Sequence, residues 1–286
     1  MRLDKTFRQH LLLNSFLVTM ITLWGGFVKA HEPSATYLAN ESVLVTNGNS
    51  KVLFDPFFHN NYGQYQLVPA ETLKKVFAGQ APFDDIDAIV ISHAHGDHFA
   101  ADEVLRYLSL YPKTKLVAPQ QAIDELRALT GADKVSSQLY EVKLAFNQAP
   151  QQIELGEMVF EGVRIPHAGW PGRADIENIV FRVTLSNTEA DKKNENITVM
   201  HMGDADANDD HYLPFKAHWQ SRETDLAFPP YWFFYQLEGN YILDELINAK
   251  QHVGVHVPMQ VPKRLKETGK DYFSKSGEQR TIKHEH

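Results

Sequence analysis

Cysteine is absent from this chain of 286 residues, which excludes disulfide bonds and a lipid-modified cysteine anchor. Internal repeats of roughly 20–50 residues are also missing, so solenoid and propeller arrays are excluded. No long Pro/Ser/Gly-rich linker divides the chain. With 43% hydrophobic residues, it has enough apolar material for a substantial core and reads as one folded domain. Uninterrupted apolar runs of membrane-spanning length are lacking too. Residues 11–24 are mainly apolar, but Asn14, Ser15, Thr19 and Thr22 break the run, whereas a span takes ~20 mostly apolar residues. Basic residues are in deficit, 28 Lys and Arg against 36 Asp and Glu, a net charge of −8.

The N-terminus has the three parts of an export signal. Arg2, Lys5 and Arg8 make a positive start, the mainly apolar stretch follows, and Val28-Lys29-Ala30 offers small residues at the cleavage positions. Cleavage after Ala30 would place His31 first and leave no stable membrane anchor; an uncleaved anchor is the competing reading. A bacterial periplasm is the expected destination. Removal of 1–30 takes away four basic residues and one acidic residue, leaving 24 against 35, a net of −11. Such a surface repels polyanions, so no nucleic-acid partner is expected and a small-molecule substrate is. The remaining basic residues cluster in part between Lys263 and Lys283, and 263–286 reads as a solvated polar helix or tail. The sequence leaves the oligomeric state open.

Against these absences stands one dense motif. His93-Ala94-His95-Gly96-Asp97-His98 packs four metal-binding side chains into six residues, directly after the apolar run Ala88-Ile89-Val90-Ile91. A strand ending there delivers the cluster onto a loop at a sheet edge. Imidazole with carboxylate suits zinc and neighbouring transition metals rather than calcium or magnesium, which prefer oxygen shells. A solvated charge run is the plain alternative, and the spacing behind a β-rich run argues against it.

The motif resembles the His-x-His-x-Asp-His signature of the metallo-β-lactamase-fold hydrolases. The resemblance implies an α/β fold, a four-layer αββα sandwich, over residues 34–262. It also implies two divalent metal ions per chain, zinc first, with manganese or iron as alternatives. His93, His95 and a later His167 would hold one ion. Asp97, His98 and a final His256 would hold the second, with Asp204 bridging both. Asp97 and Asp204 would also be catalytic, Asp97 by handling a proton. Each late candidate falls where a strand ends: His167 after the apolar segment 158–165, Asp204 after Gly203, and His256 in Val253-Gly-Val-His-Val-Pro258. Each has a plain alternative. His167 by itself reads as a loop histidine, Asp206, Asp209 or Asp210 compete with Asp204 while also suiting helix caps, and His252 competes with His256. His201 reads as a strand residue beside the site, and His211 and His218 as surface groups on a helix. Asp55, at a strand end in Phe54-Asp55-Pro56, would orient a ligand histidine from behind or simply form a turn.

Two such ions roughly 3.5–4 Å apart favour deprotonation of a shared water at neutral pH, so hydrolysis needs no serine or cysteine nucleophile. The lack of cysteine excludes the true β-lactamases whose second metal takes a thiolate. His95 stands where the di-iron flavoproteins of the family carry Glu, which disfavours oxygen reduction. The stretches 37–47 and 53–57 and the late Gly-Val-His-Val-Pro look like the branch of ascorbate-6-phosphate lactonase and N-acyl-phosphatidylethanolamine phospholipase D. That branch implies hydrolysis of an ester, lactone or phosphodiester. A single-iron oxidoreductase of sulfur compounds on the same fold is the alternative. For the substrate, Arg173 could pair with an anionic group, with a surface salt bridge as the competing role. Trp170, Tyr231 and Trp232, with the aromatic run 228–235, could wall a pocket or simply pack the core.

Patterning predicts strands at 36–39, 42–46, 51–54, 86–91, 115–118, 178–185, 225–228 and 251–257, with mostly strands over 138–185. Helices are expected at 69–78, 101–110, 119–129 and near 235–249, and a polar surface loop at 186–196.

Overall fold

The computed structural model describes residues 32–187 and 195–284. The expected export signal and residues 188–194 of the expected loop lie outside the described residues. Three strands come first among the described residues: β1 Ser34–Ala39, β2 Ser42–Asn47 and β3 Ser50–Phe54. Next come α1 Ala70–Phe77, β4 Ala88–Val90, α2 Ala101–Leu110, β5 Lys115–Pro119, α3 Gln120–Arg127 and β6 Leu139–Val142. Four strands follow, β7 Gln151–Leu155, β8 Met158–Arg164, β9 Ile179–Leu185 and β10 Ile197–His201. The last third contains α4 Lys216–Gln220, β11 Leu226–Phe228, α5 Leu237–Tyr241, α6 Lys263–Glu267 and β12 Gln279–Thr281. Among the described residues, no helix is long and apolar enough to cross a membrane.

The strands make two mixed sheets, ordered β12-β1-β2-β3-β4-β5-β6 and β11-β10-β9-β8-β7. Strands β3 to β6 run parallel, as do β10 and β11, and the other pairs are antiparallel. Side-chain alternation at period two assigns each residue to a layer. Val43, Val45, Val52, Phe54 and Val90 face inward and meet Phe160, Phe181, Val183, Val199 and Phe228 of the second sheet. Their neighbours Leu44, Leu53, Ile89 and Leu116 face outward, beneath Val76 of α1, Val104 and Leu108 of α2 and Ile123 of α3. On the far side Val163, Val180, Met200 and Ala227 pack against Trp219 of α4 and the turn residues Leu243 and Leu246. The result is the four-layer αββα sandwich. Fully burying one such aliphatic or aromatic side chain is worth ~1.5–3 kcal/mol, so these three clusters hold the layers together.

Three expectations need correction. The strand expected over 251–257 is not continuous. Consecutive prolines at 229 and 230 in the neighbouring segment have no N–H to donate, so the ladder reduces to isolated bridges. The bonds that remain are Ala227 N to Gln251 O at 2.9 Å, Val253 N to Ala227 O at 3.0 Å, Val255 N to Pro229 O at 2.9 Å and Tyr231 N to Val255 O at 3.0 Å. Lys263–Glu267 form the expected polar helix, α6, but residues 268–284 are not a solvated tail. Strand β12 pairs with β1, and Phe273 is fully buried, stacked on Tyr37 with ring centroids 5.0 Å apart. Finally, Ser186 and Asn187, taken as the start of a surface loop, are buried against the hairpin between β2 and β3.

Candidate metal centre

Strand β4 ends at Val90, and the chain turns at once into the histidine motif. His98 N and Phe99 N both donate to His95 O, at 2.9 and 2.8 Å, which curls the motif into a single turn anchored by the buried Phe99 ring. The loops after β8 and β10 are laced together. Ala168 N donates to Asp204 O at 2.7 Å and Asp206 N to Pro166 O at 2.8 Å, placing His167 beside Asp204. Gly203 sets the angle of that turn with φ +53; a Cβ there would lie 2.5 Å from Asn178 Oδ1 and 2.7 Å from Ser92 Cβ. His256 adopts left-handed backbone, φ +59, between the buried Val255 and Val257.

The seven expected side chains converge. His95 Nδ1 lies 3.1 Å from both His93 Nε2 and His167 Nε2, and His167 Nε2 lies 3.2 Å from Asp204 Oδ2. On the other side, His256 Nε2 is 3.4 Å from Asp97 Oδ2, and His98 Nε2 is 3.7 Å from the same oxygen. Asp204 Oδ1 faces this second group, 3.0 Å from His256 Nε2 and 3.4 Å from His98 Nε2. One carboxylate thus presents one oxygen to each set of donors. The donor atoms of His93, His95, His167 and Asp204 lie within 4.8 Å of one another, as do those of Asp97, His98 and His256.

These donors suit metal ions better than they suit each other. His98 Nε2, His256 Nε2, Asp97 Oδ1 and Asp204 Oδ1 are buried without an aligned hydrogen-bond partner, although they stand close together. Burying such groups unpaired is costly, and a cation placed among them would satisfy them together. Hydrogen bonds behind the rings leave the site-facing nitrogens bare. Asp55 Oδ2 accepts from His98 Nδ1 at 2.8 Å, and Ala168 O accepts from His167 Nδ1 at 2.7 Å. Asp55, at φ +39, also accepts from Ser92 N at 2.7 Å and Ser92 Oγ at 2.6 Å, so its orienting and turn-forming roles coincide.

Electrostatics divides the centre. Burial, reinforced by neighbouring imidazoles, holds His93 well below the usual histidine range and brings His95 down to about 4, so both are neutral. Burial alone would raise Asp204, but the facing His256 and His98 outweigh it and hold the carboxyl well below its ordinary value.

The competing residues lie elsewhere. Asp206 accepts from Asn208 N in a local turn, Asp209 and Asp210 lie in the next short turn, and His252 bonds to Leu243 O at 3.1 Å. His201 is a strand residue beside the site, stacked flat on Phe54 with Nε2 donating to Glu41 O. A cavity of about 370 Å³ opens over the centre, lined by Tyr62, Gln64, Tyr65, His95, Asp97, Arg173, Asp204 and His256. Of the expected substrate residues, Arg173 alone lines it. Trp232 packs edge-on to His256 at 5.3 Å and Tyr231 packs on Trp232, both as support behind the ligand. Trp170 is not in the lining and instead meets Phe146 and His211 edge-on, with ring centroids 4.8 and 5.8 Å apart.

Sequence reasoning missed two contributors. Tyr65 stands edge-on to His256 at 4.1 Å, in a segment without any motif. Asn40, in the turn between β1 and β2, donates from Nδ2 to Asp97 O at 2.9 Å, and its own carbonyl accepts from His256 N at 2.9 Å. Nothing in the local sequence marks it; its left-handed backbone, φ +49, a conformation Asn tolerates, is seen only in the structure.

Residues 34–218 match the family model described as the beta-lactamase superfamily domain. No curated protein shows a significant match to the chain. Several solved structures share the fold. A protein described as a possible metal-dependent hydrolase from Veillonella parvula aligns with a TM-score of 0.58 at 12% identity, over 88% of this chain and 100% of that one. Igni18, a metallo hydrolase from the archaeon Ignicoccus hospitalis, aligns at 0.54 with 14% identity, over 89% and 100%. An isothiocyanate hydrolase from Delia radicum gut bacteria aligns at 0.53 with 14% identity, over 86% and 98%. At such identities the likeness is one of fold.

Proposed function

The chain belongs to the β-lactamase superfamily, and on that premise we propose that it is a binuclear metal-dependent hydrolase of a small ester, lactone or phosphodiester. The observation that supports this most is the Asp204 carboxylate, with one oxygen toward each of two histidine-rich donor groups. His93, His95 and His167 would hold one ion, Asp97, His98 and His256 the other, and Asp204 both. Zinc suits this nitrogen-and-carboxylate set, with manganese or iron as alternatives. Bound there, a pair of divalent ions supplies Lewis acidity and a lowered pKa for water, which is why no side-chain nucleophile is required.

The chain's own residues do the rest. Asp55 fixes the His98 ring so that Nε2 faces the site. Asp97 Oδ1 has no hydrogen-bond partner among the described residues and its side chain lines the cavity, so it is placed to take the proton from the attacking water. Water oxygen bonds to the carbonyl carbon or phosphorus, the bond to the leaving oxygen breaks, and the proton passes to that oxygen. Short likenesses to the lactonase and phospholipase D branch, in 37–47 and 53–57, support this choice of bond.

Elemental analysis combined with a panel of esters, lactones and phosphodiesters tests the reading. Near two metals per chain, with hydrolysis abolished by chelation and restored by metal, is the expected result. One iron per chain without hydrolysis would overturn it in favour of an oxidoreductase.

A further inference from the structure

We propose that the mouth of the cavity is an oxyanion subsite in which Arg173, flanked by Tyr62 and Gln64, receives a carboxylate or phosphate carried by the substrate outside the bond that is cleaved. The inference rests on the hydrolase reading for the chemistry of that bond. It adds the substrate's charge.

Four observations support it. First, Arg173 is the one permanent cation among the described residues lining the cavity, whose floor is the donor cluster. Second, among the described residues no carboxylate pairs with it, so the surface salt bridge that was its competing role is not made. Its polar neighbour is His167 Nδ1 at 3.4 Å. That nitrogen bears the hydrogen donated to Ala168 O, so two donors face each other there with no acceptor between them. Third, Arg173 is exposed at the mouth of the cavity, and its stem lies along the backbone of the neighbouring turn. Gly169, with φ +92, has no Cβ, and the Arg173 stem runs over that bare backbone, its Cδ 3.6 Å from where a Cβ would stand. Fourth, Tyr62, 53% exposed, and Gln64 add polar side chains to the same lining, and the Arg173 charge acts on the Tyr62 phenol.

The position of Arg173 sets the kind of substrate. Its guanidinium lies one imidazole ring away from the His167 nitrogen that faces the centre, so the anion it binds is close to the reacting group without being that group. A guanidinium fork matches the two oxygens of a carboxylate or phosphate. Elsewhere the protein's acidic surface repels anions at long range, so selection for a charged substrate depends on this local cation.

Mono-4-nitrophenyl succinate and 4-nitrophenyl propionate, an anionic and a neutral ester with the same leaving group, test the subsite in the metal-loaded enzyme. For Arg173→Gln, with metal content verified as equal to wild type, the ratio of kcat/KM for anionic over neutral ester should fall about 10–100-fold. Arg173→Lys should restore part of the ratio, since charge remains but the fork is lost. Calorimetry with succinate and with inorganic phosphate supplies a readout independent of turnover and shows which oxyanion is preferred. Both variants should bind the preferred anion more weakly than wild type, Arg173→Gln the more so. An equal fall for both esters, or anion binding unchanged in Arg173→Gln, overturns the subsite. Weakened anion binding in a protein that hydrolyses no ester, lactone or phosphodiester of the panel would leave the subsite standing and overturn the hydrolase reading instead.

Discussion

Asp55 shows how much one side chain can set at this centre. Its two oxygens accept three hydrogen bonds, from Ser92 N, Ser92 Oγ and His98 Nδ1, all at 2.8 Å or less. A carboxylate behind a histidine fixes the ring's tautomer and makes its other nitrogen more basic. Asp55→Asn removes the charge and turns one acceptor into a donor aimed at His98 Nδ1. Metal affinity should fall about 10–100-fold, read by competition with a chromogenic chelator, while the fold survives. Unchanged affinity would reduce Asp55 to a turn residue. At this scale the early motif was readable because four ligand types in six residues have few other uses. Asn40 and Tyr65 were not, because a single buried amide or ring in unpatterned sequence has no distinguishing neighbours along the chain.

Between elements, Asn40 links two loops that are more than 150 residues apart in sequence, one at Asp97 and one at His256. Asn40→Ala deletes the Nδ2 donor and leaves Asp97 O without it. The second donor group should loosen while His93, His95 and His167 keep their places. Metal content should drop toward one ion per chain at limiting metal and recover in excess; loss of both ions together would count against the selective role.

The pairing of β8 with β9 has its own polar device. Glu161 and Arg182 face each other across the strands in a two-bond fork at 2.9 Å, with Arg222 on the same carboxylate. Burial tends to raise Glu161, but Arg182 above all, with Arg222 and His218, holds it below the ordinary carboxylate value. A depressed carboxyl takes up a proton on unfolding in acid. Its stabilisation is therefore complete above the unfolded carboxylate range and is lost as pH falls through the folded value. Glu161→Gln leaves the Arg182 charge buried and should cost ~3–5 kcal/mol in urea unfolding at neutral pH. The gap to wild type should narrow in acid; a gap constant with pH would place the stabilisation elsewhere.

Over the whole molecule, the chain's end completes its beginning. Strand β12 pairs with β1, and Phe273 fills the space against Tyr37 and Phe228. Phe273→Ala should cost ~3–5 kcal/mol and lower the melting temperature by several degrees, whereas a solvated tail would tolerate it without change.

Local chemistry along the chain was enough to indicate most strands and helices and the early donor cluster, and the resemblance carried by that cluster implied the sandwich and the later donors. Alternating apolar residues declare which face is buried, and ligand side chains at strand ends can be read one segment at a time. Three matters were decided only in three dimensions: the broken ladder at 251–257, the packing of 268–284 against β1 and, among the described residues, the lack of a carboxylate partner for Arg173. Each depends on what a distant segment offers. A proline pair withholds its N–H groups, an edge strand lacks a neighbour, and no described carboxylate pairs with one guanidinium, so pairing and vacancy across space settle what local pattern cannot.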